Sequence, residues 1–307
     1  MADLSSGNLI AVDWGTTRLR ARLVDVGGAV LAEATSDQGI GVLNGNGHEA
    51  AFEALVAAWP TVPAIMTGMV GSRQGWREAA YVPCPADGVA LAAAMLRFTT
   101  ARGRPVAIVP GLRLGDSNVM RGEETQIVGL ADAEPRFRGT VVLPGTHSKW
   151  VKVEGGTMAD FASFISGELF ALLARQSLLR HSVADPDTAG DVSGSAAFRA
   201  GVEQAHATPF VASLFSVRAR QLLTGTTPAD NLAYLSGLVI GGEVAAAAAL
   251  GLGEPPVRII AAAGLARAYR VALSAFGIEA EVRAGDAMAL GGLIHLARAA
   301  GLLAGAT

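Results

Sequence analysis

Ile10-Ala-Val-Asp-Trp-Gly-Thr-Thr-Arg-Leu-Arg-Ala-Arg-Leu-Val-Asp25 reads as an apolar strand, a Gly-Thr turn and a second strand that ends at Gly27-Gly28. The pattern recurs mid-chain as Val141-Val-Leu-Pro-Gly-Thr-His-Ser-Lys-Trp-Val-Lys-Val-Glu154, again closed by a Gly-Gly pair, Gly155-Gly156. In the first copy Leu19, Ala21 and Leu23 alternate with Arg18, Arg20 and Arg22, the period of a half-buried strand. Gly15 and Gly145 let the backbone approach a ligand closely. The N–H groups that follow, with the hydroxyls of Thr16, Thr17, Thr146 and Ser148, are donors suited to phosphate oxygens. A single Gly-Thr-Thr turn signifies little, but two in one chain point to related halves gripping one polyphosphate. The copies differ where the first strand ends: Asp13 in one, Leu143 in the other. A carboxylate beside a phosphate turn repels the anion unless a divalent cation lies between them. Asp13 is therefore the candidate ligand of Mg²⁺ or of its bound water, with a turn-capping Asp as the plainer alternative.

Composition bounds the class. A chain of 307 residues has room for two domains with sizeable cores. The net charge of −3 and the lack of Lys/Arg runs speak against nucleic acid and membrane surfaces as partners. The single cysteine, Cys84, excludes an intramolecular disulfide and any Cys-rich metal site, which fits a reducing cytoplasm. No basic n-region precedes the first strand, so no signal peptide is expected. The apolar run from Leu232 to Leu252 is rich in Ala and Gly and carries Glu243, and it reads as a buried helix. High Ala and Gly, with a mean hydropathy of +0.39, suggest close helix packing.

Strands and helices alternate, as in α/β folds. After the first hairpin the pattern predicts a strand over 30–34, a helix over 48–58 and a buried strand over 64–67. A Gly-rich loop, Gly68-Met-Val-Gly-Ser-Arg-Gln-Gly-Trp-Arg77, follows. Next come a helix over 88–100, a strand over 106–109, and a helix opened by the stretch 115–126 that reaches Leu130. The polar segment 131–139, with Pro135, reads as the crossing between halves. Beyond the second hairpin the pattern predicts helices over 167–179, 195–204, 209–223 and 231–250. A strand over 257–261 then meets Gly264 and a helix over 265–276, and a strand over 279–283 precedes Gly285-Asp286 and a closing helix.

This order resembles the acetate and sugar kinase/heat-shock chaperone/actin superfamily, whose members pair two ribonuclease-H-like domains around a nucleotide cleft. More closely, the chain resembles the 2-dehydro-3-deoxygalactonokinase family. The matching stretches are Ala11-Val-Asp-Trp-Gly-Thr-Thr-Arg-Leu-Arg20, Gly68-Met-Val-Gly-Ser72 with Gly75-Trp76, and Asn118-Val-Met-Arg-Gly-Glu-Glu-Thr-Gln126. Pro144-Gly-Thr-His147 with Lys149-Trp150 and Leu235-Ser-Gly-Leu-Val-Ile-Gly241 complete them. The resemblance covers about residues 10 to 290, and the Asn118–Gln126 and Pro144–His147 stretches are the specific ones. The resemblance implies an α/β fold of two ribonuclease-H-like, actin-like ATPase domains. Residues 1–132 would hold the acceptor-sugar site, 138–286 the adenosine site, and the closing helix 287–307 would return to the first. It implies ATP-dependent phosphorylation of the terminal C6 hydroxyl of 2-dehydro-3-deoxy-D-galactonate in galactonate catabolism, with Mg²⁺. A small sugar acid would be the partner and a homodimer one oligomeric option. The alternatives are a kinase of another keto-deoxy acid or sugar, or an actin-like ATPase acting on a protein.

Phosphoryl transfer asks mainly for positioning, charge neutralisation and a base near the attacking hydroxyl. In similar carbohydrate kinases a Gly-Asp-Gln-Gln stretch before the second hairpin supplies that base. Gly122-Glu-Glu-Thr occupies the matching place, so Glu123 is the candidate, with adjacent Glu124 and Asp116 as alternatives. A helix start holds such a carboxylate ionised. The substrate carboxylate calls for a guanidinium: Arg121 by its adjacency to Glu123, with Arg73, Arg77 and Arg18 also in range. Gly71 and Ser72 are expected to line the sugar site. Trp14 and Trp76 would either stack on the sugar or fill the core. His147 would contact phosphate or serve structurally. Gly264 resembles the superfamily's adenosine-binding turn. Asp286 reads first as a helix cap.

Overall fold

The computed structural model describes residues 8–43, 47–188 and 190–303. The chain divides into two compact units, one of residues 1–137, 154–160 and 286–307, the other of 138–153 and 161–285.

The first unit begins with the hairpin of β1 (Leu9–Trp14) and β2 (Leu19–Val24), then β3 (Val30–Ser36), helix α1 (Gly47–Leu55) and β4 (Ala64–Gly68). It continues through β5 (Tyr81–Pro83), α2 (Gly88–Ala93), β6 (Leu96–Thr99), β7 (Pro105–Ile108), β8 (Gly111–Leu114), β9 (Asn118–Met120) and α3 (Glu123–Ala133). Six strands form one sheet in the order β3-β2-β1-β4-β7-β6, and β5-β8-β9 form a small second sheet. β1 sits centrally, antiparallel to β2 and parallel to β4, so its apolar residues are buried on both faces. β2 keeps its alternation: Leu19, Ala21 and Leu23 are buried while Arg20 and Arg22 turn to the other face. The core beneath holds Trp14, Phe52 and Met66, with Trp76 and Phe98 packed against it.

The second unit carries β10 (Arg138–Leu143), β11 (Ser148–Glu154), β12 (Thr157–Phe164), α4 (Ser166–Arg175), α5 (Ala196–Ala207), α6 (Phe210–Ser213) and α7 (Ser216–Thr224). It closes with α8 (Pro228–Ala249), β13 (Val257–Ala261), α9 (Ala263–Ala275) and β14 (Ala280–Ala284), and then α10 (Gly285–Ala299) follows. From Asp286 onward α10 belongs to the first unit. The sheet order is β12-β11-β10-β13-β14, with β13 parallel to both β10 and β14. That is the order of β3-β2-β1-β4-β7, so both sheets have the ribonuclease-H-like arrangement of hairpin, flanking third strand and parallel pair.

The Ala/Gly-rich composition finds its use in helix crossings. A Cβ on Gly237 of α8 would lie 2.1 Å from the Phe198 carbonyl oxygen, and one on Gly201 of α5 would lie 2.2 Å from that of Tyr234. α3 and α10 cross as closely at Gly129 and Gly292. α8 is long and apolar enough to cross a bilayer, yet 67% of its most apolar window is buried in the fold.

Three segments depart from the sequence reading. The helix over 88–100 stops at Ala93, and Leu96–Thr99 instead pairs antiparallel with β7 as β6. A free sheet edge outweighs the helix propensity of Ala-Ala-Ala-Met-Leu. Residues 111–120 form the β8–β9 hairpin, so α3 begins only at Glu123. The helix over 209–223 is broken into α6 and α7.

Candidate functional site

Asp13, one residue before the end of β1, lies directly opposite Arg20 on β2, so the two side chains share one face of the hairpin. Arg20 Nη1 is bound 2.5 Å from Asp286 Oδ1, and Arg22 Nη2 lies 3.2 Å from Glu33 Oε1. Each guanidinium thus has another acid, and among the described residues the Asp13 carboxylate makes no hydrogen bond or ion pair of its own. Burial raises its pKa, nearby Arg20 opposes the rise, and Asp286 adds to it. An unpaired carboxylate at the end of a strand, beside a turn of free donors, fits a hydrated divalent cation bound through one protein oxygen. The turn itself is half-exposed at Gly15 and open at Thr16 and Thr17. It rests on residues 39–41, whose Ile40 and Gly41 amides donate to the Gly15 and Thr16 carbonyls at 3.0 and 2.8 Å.

Beside the end of β4 lies the start of α3. Gly122 takes φ 107, a conformation glycine alone adopts freely, and a Cβ there would stand 3.4 Å from Gly68 Cα. The turn presents two unlike carboxylates. Glu123 is half-buried, and its Oε2 accepts from the Arg121 amide at 3.0 Å. Glu124 is fully buried; both its oxygens accept from the Gly122 amide, at 2.9 and 2.7 Å, and Oε1 also accepts from the Thr125 hydroxyl. Thr125 in turn bonds Thr67 at 2.7 Å, the β4 residue in register with Asp13. Burial, with Glu123 alongside, pushes the Glu124 pKa up to about 7. Asp116 lies on the exposed β8–β9 turn, a strand away from this cluster.

Arg121 is held where β9 meets α3. Its guanidinium stacks 4.3 Å from the Tyr81 ring centroid, and Nη2 donates to the Ala79 carbonyl at 2.7 Å. Its other side lies against Gly71, where a Cβ would be 2.8 Å from Nη1. Among the described residues Nε and Nη1 are buried without a partner, as is the Ser72 hydroxyl. Unsatisfied buried donors are costly, so three in adjoining residues mark a place for acceptor oxygens. The other arginines are exposed: Arg18 faces Asp37, Arg77 stacks on Phe98, and Arg73 projects from the loop.

The structure corrects one of the aromatic assignments. Trp14 is wholly buried and its Nε1 donates to the Gln38 carbonyl, so it offers no face to a ligand. Trp76 is half-buried in the same cluster, edge-on to Phe98 at 4.9 Å and to Trp14 at 6.2 Å. Strong aromatic burial on a central strand outweighs any stacking role.

In the second unit the turn Gly145-Thr146-His147 is seated on α4. The Glu168 amide donates to the Thr146 carbonyl at 3.1 Å, and Gly167 packs so closely that a Cβ would meet the Gly145 carbonyl at 2.3 Å. His147 Nε2 lies 2.6 Å from Glu168 Oε2, both side chains about half exposed. Open space surrounds Gly145 and Gly264, the latter in the first turn of α9. A cavity of about 150 Å³ is lined by Gly145, Ser166, Gly167, Leu265 and Tyr269 among others.

The sequence places Glu243 in a buried helix and Lys149 beside the second turn but gives no role to them or to Tyr269; Lys149 Nζ folds back onto the His147 carbonyl at 2.7 Å. A lone carboxylate inside an Ala/Gly run was the available signal, because such a group is buried only when paired.

A family model described as 2-keto-3-deoxy-galactonokinase matches residues 13–296. A protein of Rhizobium meliloti (strain 1021) named a probable 2-dehydro-3-deoxygalactonokinase is 40% identical over 305 residues, covering 96% of this chain and 98% of its own. The 2-dehydro-3-deoxygalactonokinase of Escherichia coli (strain K12) is 35% identical over 94% of this chain and 97% of its own. A Sinorhizobium meliloti crystal structure described under the same family name superposes at a TM-score of 0.88 with 39% identity, covering 95% of this chain and 98% of that one. With two actin-like sheets and matches over nearly its whole length, the chain belongs to the 2-keto-3-deoxy-galactonokinase family.

Proposed function

We propose that the chain transfers the γ-phosphoryl group of ATP to the terminal C6 hydroxyl of 2-dehydro-3-deoxy-D-galactonate, yielding the 6-phosphate and ADP. The observation that carries this reading is the pairing of an anion-seeking group with a base two residues on. Arg121 has two buried, unpartnered donors, and Glu123 opens α3. Arg121, with the Ser72 hydroxyl, holds the substrate carboxylate; the planar fork makes two parallel bonds where a lysine would make one. Glu123, at the helix start, accepts the proton of the hydroxyl as it attacks. Buried Glu124 holds the Gly122 turn and thereby the direction of Glu123. In the second unit Gly145, Thr146 and the neighbouring amides bind phosphate oxygens, and Gly264 leaves room for the nucleoside. Gly15, Thr16 and Thr17 offer donors of the same kind. Asp13 would hold Mg²⁺ or its water, an ion that, when bound, neutralises charge on the phosphate oxygens.

Coupled ADP release tests the reading, with ATP and Mg²⁺ over a panel of 2-keto-3-deoxy acids and neutral sugars. Turnover is expected with the acids alone. In Arg121→Met the KM for the acid is expected to rise while the KM for ATP holds. Equal turnover of a neutral sugar would refute a carboxylate-directed site.

A further inference from the structure

One buried charged residue that the proposed reaction leaves unused is Glu243, on α8 in the second unit. Its Oε1 accepts from Trp150 Nε1 at 2.8 Å and its Oε2 from the Tyr269 hydroxyl at 2.8 Å. Tyr269 also bonds the Ser148 hydroxyl at 2.9 Å, and the Ser166 hydroxyl hydrogen-bonds the carboxylate as well. These partners come from three different elements. Ser148 and Trp150 lie on β11, the strand that leaves the Gly145-Thr146-His147 turn. Ser166 opens α4, which seats that turn through the Glu168 amide and Gly167. Tyr269 stands on α9, five residues beyond Gly264. Gly145, Ser166, Gly167, Leu265 and Tyr269 then line one cavity.

We propose that Glu243 is a positioning residue for the nucleotide, fixing the second phosphate turn and the Gly264 helix in one geometry through a shared buried carboxylate. The inference rests on the nucleotide site proposed above. Burying a carboxylate in an apolar helix is unfavourable, and an apolar side chain would serve a core as well. What an apolar residue cannot do is accept from an indole N–H and two hydroxyls at once. Removing the acceptor strands those donors, and the elements carrying them shift to find others. Glutamine is a different case. Its carbonyl can serve Trp150 while its NH₂ donates to the Tyr269 oxygen, and Tyr269 then turns its proton to Ser148. The network reverses direction but keeps its connections.

The test compares Glu243→Met with Glu243→Gln in the whole enzyme, measuring steady-state kinetics and the binding of a fluorescent ATP analogue without sugar acid. In Glu243→Met the ATP KM and the analogue Kd are expected to rise roughly tenfold, the scale of stranded buried donors. The KM for the sugar acid should hold, and Glu243→Gln should return the ATP values to within about twofold of the parent. A merely structural role would lower the active fraction and leave both KM values alone, and that outcome overturns the proposal. So does a glutamine variant as impaired as the methionine one. Should Glu243→Met fail to fold, Tyr269→Phe removes the hydroxyl that joins Glu243 to Ser148, and an unchanged ATP KM there is equally decisive against it. Gly264→Val separates the two readings. If it leaves ATP binding intact, the nucleotide site itself is misplaced; if it impairs ATP binding while Glu243→Met does not, only the role of Glu243 falls.

Discussion

The two hairpins share a backbone plan and differ in where they keep their charge. In the first, Asp13 stands near the end of β1 with no direct partner among the described residues, facing a strand of arginines already engaged by Asp286 and Glu33. In the second, Leu143 takes that place, and the carboxylate comes from a distant helix as Glu243, buried beneath β11. The first turn rests on a loop through two backbone bonds, whereas the second is seated on α4 and carries Lys149 folded against it. In the proposed reaction the repeated backbone supplies two sets of anion-binding donors, and the side chains beneath decide their use. An open acid next to such a turn needs a cation; a buried acid organises the turn without touching the ligand.

The largest expected effect falls on the carboxylates that follow the first unit's small sheet. Glu123→Gln should lower kcat by roughly 10² to 10⁴ and leave the KM for ATP nearly unchanged, as for removal of a general base. Glu124→Gln should be far milder in kcat. A reversed order would move the base to Glu124, and a large loss in Asp116→Asn would move it to the β8–β9 turn.

Asp13→Asn breaks the asymmetry between hairpins directly. It should keep the fold and depress turnover strongly at limiting Mg²⁺, with part of the loss recovered as Mg²⁺ is raised. Unchanged turnover at limiting Mg²⁺ would remove Asp13 from the metal site.

A third effect reads the buried acid of the first unit through pH. The Glu124 pKa is raised from 4.5 to about 7 in the fold. A raised pKa means that the native state prefers the protonated acid. Its stabilisation is therefore complete below pH 4.5 and is lost as pH climbs through about 7. Wild type should lose stability relative to Glu124→Gln across that window, by about 3 kcal/mol at most. Thermal unfolding of both proteins at pH 5 and pH 8 checks this, and a constant difference would show that Glu124 titrates normally.

The smallest effect concerns the rim of the second turn. His147→Asn removes the half-exposed pair with Glu168 and should cost under about 1 kcal/mol of stability. A large rise in the ATP KM instead would make His147 a phosphate contact and bring the second turn closer in character to the first.

What the sequence by itself determined is what local physics writes locally. The period-two alternation of β2, the Gly-Thr turns, the Ala/Gly helix α8 and the strand–glycine–helix passage at Gly264 all follow from residues near each other in the chain. The same holds for the helix start at Glu123, where Gly122 supplies a conformation other residues resist. Tertiary structure alone decided the rest, because it depends on partners far away in sequence. Whether Leu96–Thr99 ends a helix or becomes β6 turns on the open edge of β7. Trp14 reads equally as platform or core until His48 and Trp76 close around it. Arg121 becomes a buried guanidinium with free donors only when Tyr81 and Gly71 enclose it. Glu243 acquires a reason to be buried only once Trp150, Tyr269 and Ser166 converge on it, since the cost of burying a charge is offset by donors that no local pattern reveals.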